Sequence, residues 1–445
     1  MDMDYYSTRD HSRTGLNLDD ALNAGLAADG GLYVPRSLPK IDFDAPAASL
    51  AETAALALAP FFKGSNLAPE LAQICRESLN LPMPQVPLVG TDARAKNASV
   101  LELFHGPTAA FKDFAARFLA ACLVRLRSQD GANRDAVVLV ATSGDTGGAV
   151  AAAFHRLPGF RVVILYPDGR VSARQAHQLG AFGDNVSAFR VQGSFDDCQA
   201  LVKRAFSNPE LRQQVSLISA NSISLGRLLP QMAYYVDASL RWRAEHGSAV
   251  NLIIPSGNLG NGLGAIMARA MGAPIAQICL ASNANRVLAD YLNTGAYTPV
   301  ASLATLANAM DVGAPSNFER LQHLFPKLEN ISGISVSDAQ IAEQVRTAPA
   351  RYGHIICPHT ACAFAAFEQL QVLPWQHAQH QQVLQPASQW LIAATAHPAK
   401  FDSIVEPLIG ASVPVPEELA KLLALPAHAP TMAADDAELK RILMQ

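Results

Sequence analysis

Charge is scarce in this sequence. Asp, Glu, Lys and Arg together make up 16% of the 445 residues, against roughly 25% in ordinary soluble domains. The net charge is only −4, so no basic surface is on offer to a polyanion, and nucleic acid is excluded as a partner. Cysteine is equally thin. Cys75, Cys122, Cys198, Cys279, Cys357 and Cys362 are scattered, which reads as reduced thiols in a cytoplasmic protein rather than a disulfide framework. Cys357 and Cys362 bracket His359, but neither a C-x2-C spacing nor a second ligand pair is present, and no metal is expected. Windows of about 18 uncharged apolar residues are also missing, so no membrane span is expected. The acidic start Met1-Asp2-Met3-Asp4 has no apolar core of a signal peptide. No repeat of solenoid period occurs, and nothing implies an obligatory protein partner.

What is abundant is apolar residues, 50% of the chain. That suffices for a large core and, at this length, about two to four domains. Residues 1–95 mix short helical patterns with a turn-rich stretch, Asp29–Pro35, and carry no legible chemistry. From about 97 the pattern changes to apolar runs at 136–141, 161–166, 186–191, 215–219, 250–254 and 275–281. Between and after them lie helical patterns at 147–156, 172–180, 195–206, 227–245, 262–271 and 283–294. Such alternation predicts an α/β fold of open parallel sheets covered on both faces. The segment 295–350 interrupts the rhythm and reads as an inserted or capping region. Residues 375–389 are rich in Gln and His and read as a solvated surface, with His377 and His380 as a metal pair the alternative. A helical tail closes the chain. The expected division is therefore 1–95, a first α/β domain over 96–225 and a second over 226–445.

Three segments point to chemistry. In His105-Gly106-Pro107-Thr108-Ala109-Ala110-Phe111-Lys112-Asp113-Phe114, a turn precedes a helix that Thr108 is placed to cap and that runs to about Leu126. Lys112 falls in its first turns between aromatic residues. An apolar setting and a positive helix end both disfavour an ammonium, and an amine that is neutral part of the time can attack an aldehyde. The same pattern also suits a lysine that merely snorkels from an amphipathic helix. The second segment follows the strand pattern 136–141: Thr142-Ser143-Gly144-Asp145-Thr146-Gly147-Gly148. Glycines, hydroxyls and a helix N-terminus together make a site for a carboxylate or phosphate. The third, Ser256-Gly257-Asn258-Leu259-Gly260-Asn261-Gly262-Leu263-Gly264, repeats the design as a cup suited to a phosphate monoester. For either loop, a plain strand-to-helix turn is the structural alternative. A dinucleotide site would want an acid after the next strand, where Ser282-Asn283 stand instead.

Taken in order, the lysine motif, the Ser-Gly-Asp-Thr-Gly loop and the Gly-Asn-x-x-Asn cup resemble threonine synthase of the microbial type. Tyr5–Arg9, Gly25–Pro35 and Ala393–Phe401 resemble its other signature stretches, so the likeness runs through nearly the whole chain. The resemblance implies the tryptophan-synthase-β type of fold (fold type II of the pyridoxal-phosphate enzymes) behind an N-terminal family-specific domain, with pyridoxal 5'-phosphate between two α/β domains. It implies Lys112 as the Schiff-base lysine, Gly257, Asn258, Leu259 and Asn261 on the cofactor phosphate, and Thr395 on the pyridine nitrogen. It further implies O-phospho-L-homoserine as substrate, its carboxylate at Thr142, Ser143, Asp145 and Thr146 and its phosphate at Asn221 and Arg227. Threonine and phosphate would be the products. A related lyase releasing 2-oxobutyrate and a non-catalytic homologue are the alternatives, the second weakened because lysine and cup are both present. The chain departs from the family pattern at Ser224-Leu225, where Asn-Trp is usual, at Leu259 for Phe, and at Cys357 for Asp.

Overall fold

The computed structural model describes residues 2–130, 134–142, 144–372 and 389–445. Its strands in chain order are β1 (Tyr5–Ser7), β2 (Tyr33–Pro35), β3 (Gln85–Pro87), β4 (Ala98–Glu102), β5 (Ala136–Ala141), β6 (Phe160–Pro167) and β7 (Val186–Gln192). They continue with β8 (Ser216–Ser219), β9 (Val250–Pro255), β10 (Ile275–Ser282), β11 (Ile331–Ser335), β12 (Trp390–Ala394) and β13 (Thr431–Ala433). The first two form an antiparallel ribbon. A six-stranded sheet has the order β11-β10-β9-β12-β4-β3, and a five-stranded sheet the order β13-β7-β6-β5-β8. Every pairing in these two sheets is parallel except β3 with β4. The central strands read as near-continuous Val, Ile, Leu and Ala because helices cover both faces.

Sheet membership does not follow the expected boundary at 225. β4 pairs with β12, Trp390 opposite Ala98, so residues near 100 belong to the large sheet, and β5 to β8 of the smaller sheet are inserted between β4 and β9. Two further expectations are corrected. The region 295–350 is not only a cap, since β11 within it is the edge strand of the large sheet. The tail is not purely helical either, because β13 adds to β7 before the helix Asp436–Met444. Each of these pairings joins distant segments, which local patterning does not register. Residues 375–388, including His377 and His380, lie outside the described residues.

One helix, Leu225–His246, organises the interior. All residues from Leu225 to Leu240 are buried, and it packs on the helices Leu50–Leu58, Lys112–Asp130 and Gly260–Met271. Its contact with the last is close because Gly264 has no side chain; a Cβ there would lie 3.1 Å from the Gln231 backbone. No helix among the described residues is long and apolar enough to cross a membrane.

Candidate active site

A cleft of about 430 Å³ opens where the C-terminal ends of β5 and β9 meet the start of the helix Lys112–Asp130. Every described residue expected at the site lines it; Ser143 lies outside the described residues.

Lys112 is the first residue of its helix. The preceding chain turns through Ala109, whose φ is +54°, and is stitched to the segment after β12. Phe111 N–H donates to the Thr395 carbonyl at 2.9 Å, and His397 N–H to that of Ala109 at 3.0 Å. Thr108 does not cap this helix in the expected sense. Its N–H and hydroxyl both donate, at 2.9 and 2.6 Å, to Asp113, a first-turn carboxylate that also complements the helix dipole. With 15% of its side chain exposed, Lys112 has its amine 5.1 Å from the centre of the Phe111 ring. Burial draws the amine down to about 8, Lys400 and Arg227 push the same way, and Asp145 opposes them.

The loop after β5 departs from the anion-cup reading. The Thr142 hydroxyl oxygen accepts from Gly144 N–H at 3.0 Å and Gly147 N–H at 2.9 Å, so two donors counted on for a ligand are used internally. Asp145 is buried and engaged. Lys400 lies at 2.7 Å, the Gln175 amide donates at 3.0 Å, and Lys112 stands at 3.9 Å. Burial alone would raise this carboxyl, yet Lys400 and Lys112 hold it well below the usual range. A carboxylate already holding two lysines is a counter-ion, not a ligand for an acidic group. Thr146 stays at the cleft wall.

The loop after β9 keeps its donors. Leu259 sits in the left-handed region at φ +65°, which turns the chain into the helix Gly260–Met271 and aims that helix's N-terminus at the cleft. Ser256 Oγ and Asn261 Nδ2 are buried without a partner, while Asn261 Oδ1 accepts from the Tyr234 hydroxyl. The Asn258 side chain is spent elsewhere: its amide donates to Ser222 Oγ at 2.7 Å and accepts from Ser316 N–H at 2.6 Å. Asn258 therefore braces the loop and has only backbone to offer a phosphate. A Cβ on Gly257 would lie 2.7 Å from the Met310 Cα, so this glycine serves packing against the 308–310 turn. Unpaired buried donors at a helix N-terminus suit a phosphate ester.

A second set of unpaired groups lies deeper. Arg227 is 1% exposed. Its Nη1 donates to the Ala220 carbonyl at 2.6 Å, its Nε has no partner, and no carboxylate pairs with it among the described residues. Burial draws the guanidinium down to about 10. Asn221 Oδ1 and Gln231 Oε1 are likewise unpartnered. Asp113 opposes the Arg227 shift through space, but a buried guanidinium with no carboxylate in contact is costly unless a ligand supplies one.

Several residues in or behind the cleft wall were not assigned from sequence. His359 accepts from Ala309 N–H through Nε2 at 3.0 Å, and burial draws it down to about 4, so it is neutral. Cys357, another departure from the family pattern, lies with Sγ 3.9 Å from the His359 Nδ1. Lys400 and Gln175 are buried around Asp145. Arg9, Gly30 and Leu32 bring the N-terminal region to the cleft. The available sequence signal was a lysine in the apolar window Pro398-Ala399-Lys400-Phe401 and a histidine in Cys357-Pro358-His359. The departures Ser224 and Leu225 are both buried at the start of the central helix.

Three family models match the chain. "Threonine synthase N terminus" covers residues 4–79, "Pyridoxal-phosphate dependent enzyme" 84–383, and "Threonine synthase, C-terminal" 360–443. The threonine synthase of Serratia marcescens is 36% identical over 449 residues, spanning 99% of both chains. The crystal structure of threonine synthase from Escherichia coli superposes with a TM-score of 0.86 at 33% identity over 99% of each chain. The pyridoxal-phosphate-bound threonine synthase from Brucella melitensis gives 0.84 at 32%, again over 99% of each. Matched by these family models and alike from end to end to these relatives, the chain belongs to the threonine synthase family of pyridoxal-phosphate-dependent lyases.

Proposed function

We propose that this threonine synthase acts on O-phospho-L-homoserine and water, releasing L-threonine and phosphate. The observation that carries the reading is that one cleft holds a depressed lysine beside two separate groups of unpaired buried donors. One is neutral, at Ser256–Asn261, and the other cationic, at Arg227. A phosphorylated cofactor together with a phosphorylated substrate requires two.

In this reading the backbone of Gly257–Asn261, with Ser256 Oγ and Asn261 Nδ2, holds the cofactor phosphate, and the Thr395 hydroxyl serves the ring nitrogen. Pyridoxal phosphate supplies an electron sink for charge developing on the substrate carbons. Lys112 would hold the cofactor through its amine, and the same amine is the group placed to take the proton from the substrate Cα and to act as acid and base at Cβ. An amine near 8 suits both directions of that transfer, since catalytic groups work best near the ambient pH. Arg227 and Asn221 receive the substrate phosphate and keep it charge-neutralised as it leaves Cγ. Thr146, at the cleft wall, faces the substrate carboxylate, while Thr142 ties its own loop and Asp145 holds the lysines. Six buried, unpaired cysteines support a reducing compartment, the cytoplasm.

The test is incubation of purified, cofactor-loaded protein with O-phosphohomoserine, assaying threonine and phosphate together. Equimolar appearance of both is expected. Phosphate with 2-oxobutyrate and no threonine would make the chain a lyase of the alternative kind, and no phosphate at all would refute the substrate.

A further inference from the structure

We propose that Lys400 is a positioning residue for Lys112, holding the Asp145 carboxylate away from it. The inference rests on the reading of Lys112 as the reactive lysine. One carboxylate here faces two lysines, unequally. Lys400, 1% exposed, lies 2.7 Å from Asp145 Oδ1, whereas Lys112 stands 3.9 Å from Oδ2. Gln175 donates to the same Oδ1 at 3.0 Å and fixes the carboxylate in plane with Lys400 as its closer partner. Asp145 is the only acid that pairs with Lys400 among the described residues.

Burial explains the asymmetry. An ammonium as enclosed as Lys400 has to be paired, so it takes the acid; Lys112, which opens on the cleft, is left with the weaker contact. Were Lys400 neutral, Asp145 would be buried with Lys112 as its nearest cation, and closing that gap would favour the protonated amine. A protonated amine attacks nothing. Lys400 also reaches Lys112 through the backbone. Its amine donates at 2.8 Å to the Thr108 carbonyl, in the residue whose N–H and hydroxyl bind Asp113 and so start the helix that Lys112 opens. The charged or titratable groups facing Lys112 are Asp145, Lys400, Arg227 and the neutral His359. Of these only Asp145 would hold the proton on, and Lys400 restrains it.

The experiment uses full-length protein freed of cofactor, trace-labelled with acetic anhydride from pH 6 to 11, with the Lys112 peptide quantified by mass spectrometry. Lys400→Met should raise the midpoint of Lys112 labelling by one unit or more, which is at least about fivefold less labelling at pH 8. Lys400→Met combined with Asp145→Asn should bring the midpoint back, because the acid is gone too. Lys400→Arg, which retains the charge, should stay near wild type. An unchanged midpoint in Lys400→Met, or a shift that survives in the double variant, would overturn the proposal and leave Lys400 a structural brace. If Lys400→Met does not fold, Lys400→Gln, which keeps a donor for Thr108, carries the same expectations. Failure of the underlying reading looks different. Borohydride reduction of the wild-type holoenzyme would then place the pyridoxyl group on a lysine other than Lys112, whatever the labelling profile.

Discussion

The loops after β5 and β9 look alike in sequence and differ in the folded protein. Each joins a buried strand to a small-residue helix through glycines and hydroxyl or amide side chains. In the first, Thr142 takes two of the loop's own N–H groups and Asp145 is committed to lysines. In the second, Ser256 Oγ and Asn261 Nδ2 stay unpartnered at the cleft. A donor-rich loop becomes an anion site only if its donors are not already used, and that depends on what the rest of the chain brings against it.

The largest effect is expected at the residue both loops serve. Lys112→Met should lower turnover at least about 10³-fold, and borohydride should no longer trap the cofactor on the protein. The same variant tests the amine's setting. Between about pH 8 and the ordinary 10.5, the unfolded chain binds a proton at this position that the folded chain does not. Wild-type stability should therefore rise with pH over that window relative to the variant, read from urea midpoints. A flat difference would mean the lysine is not depressed.

Next comes Arg227→Lys. A guanidinium can grip phosphate with two parallel bonds and lysine cannot, so kcat/KM for O-phosphohomoserine should fall roughly ten- to hundredfold. The cofactor's visible absorption should be retained. Loss of that absorption instead would mean that Arg227 serves the cofactor phosphate and that the division between neutral and cationic sites is wrong.

Glycines sharpen the comparison further. Gly257→Ala drives a Cβ into the Met310 backbone, which should cost about 1–3 kcal/mol in a denaturant melt and weaken cofactor binding by moving the loop. Gly148→Ala in the first loop's helix meets only Thr108 at 3.9 Å and should stabilise by about 0.5–1 kcal/mol. Equal costs at the two glycines would refute the packing account.

The smallest pair separates the loops most directly. Thr142→Val removes the acceptor for Gly144 and Gly147 and should cost about 1–2 kcal/mol of stability, with cofactor affinity unchanged. Ser256→Ala breaks no bond within the protein, so stability should move by less than about 0.5 kcal/mol, while cofactor affinity falls roughly five- to tenfold. Titration of cofactor into each variant decides; a KM effect without lost stability in Thr142→Val would return its hydroxyl to the substrate.

Strand, helix and glycine patterning by itself determined the parallel α/β class, the extents of β5 and β9 to within a residue, and the presence of the lysine helix, which runs to Asp130 and not only to about Leu126. Those features are local: periodicity, turn chemistry and helix ends are written within a few residues. Which sheet owns β4, which hydroxyl is free, and that Arg227 is buried with no carboxylate in contact among the described residues were decided only by tertiary structure. The clearest case is the group around Lys112. The Thr395 carbonyl accepts from Phe111 N–H, 284 positions away in the chain, and Lys400 and Asp145 meet Lys112 only because β12 lies beside β4 and the smaller sheet docks against them. A lysine's charge state depends on burial and on neighbours within a few ångströms. Nothing in residues 105–114 alone could supply those neighbours.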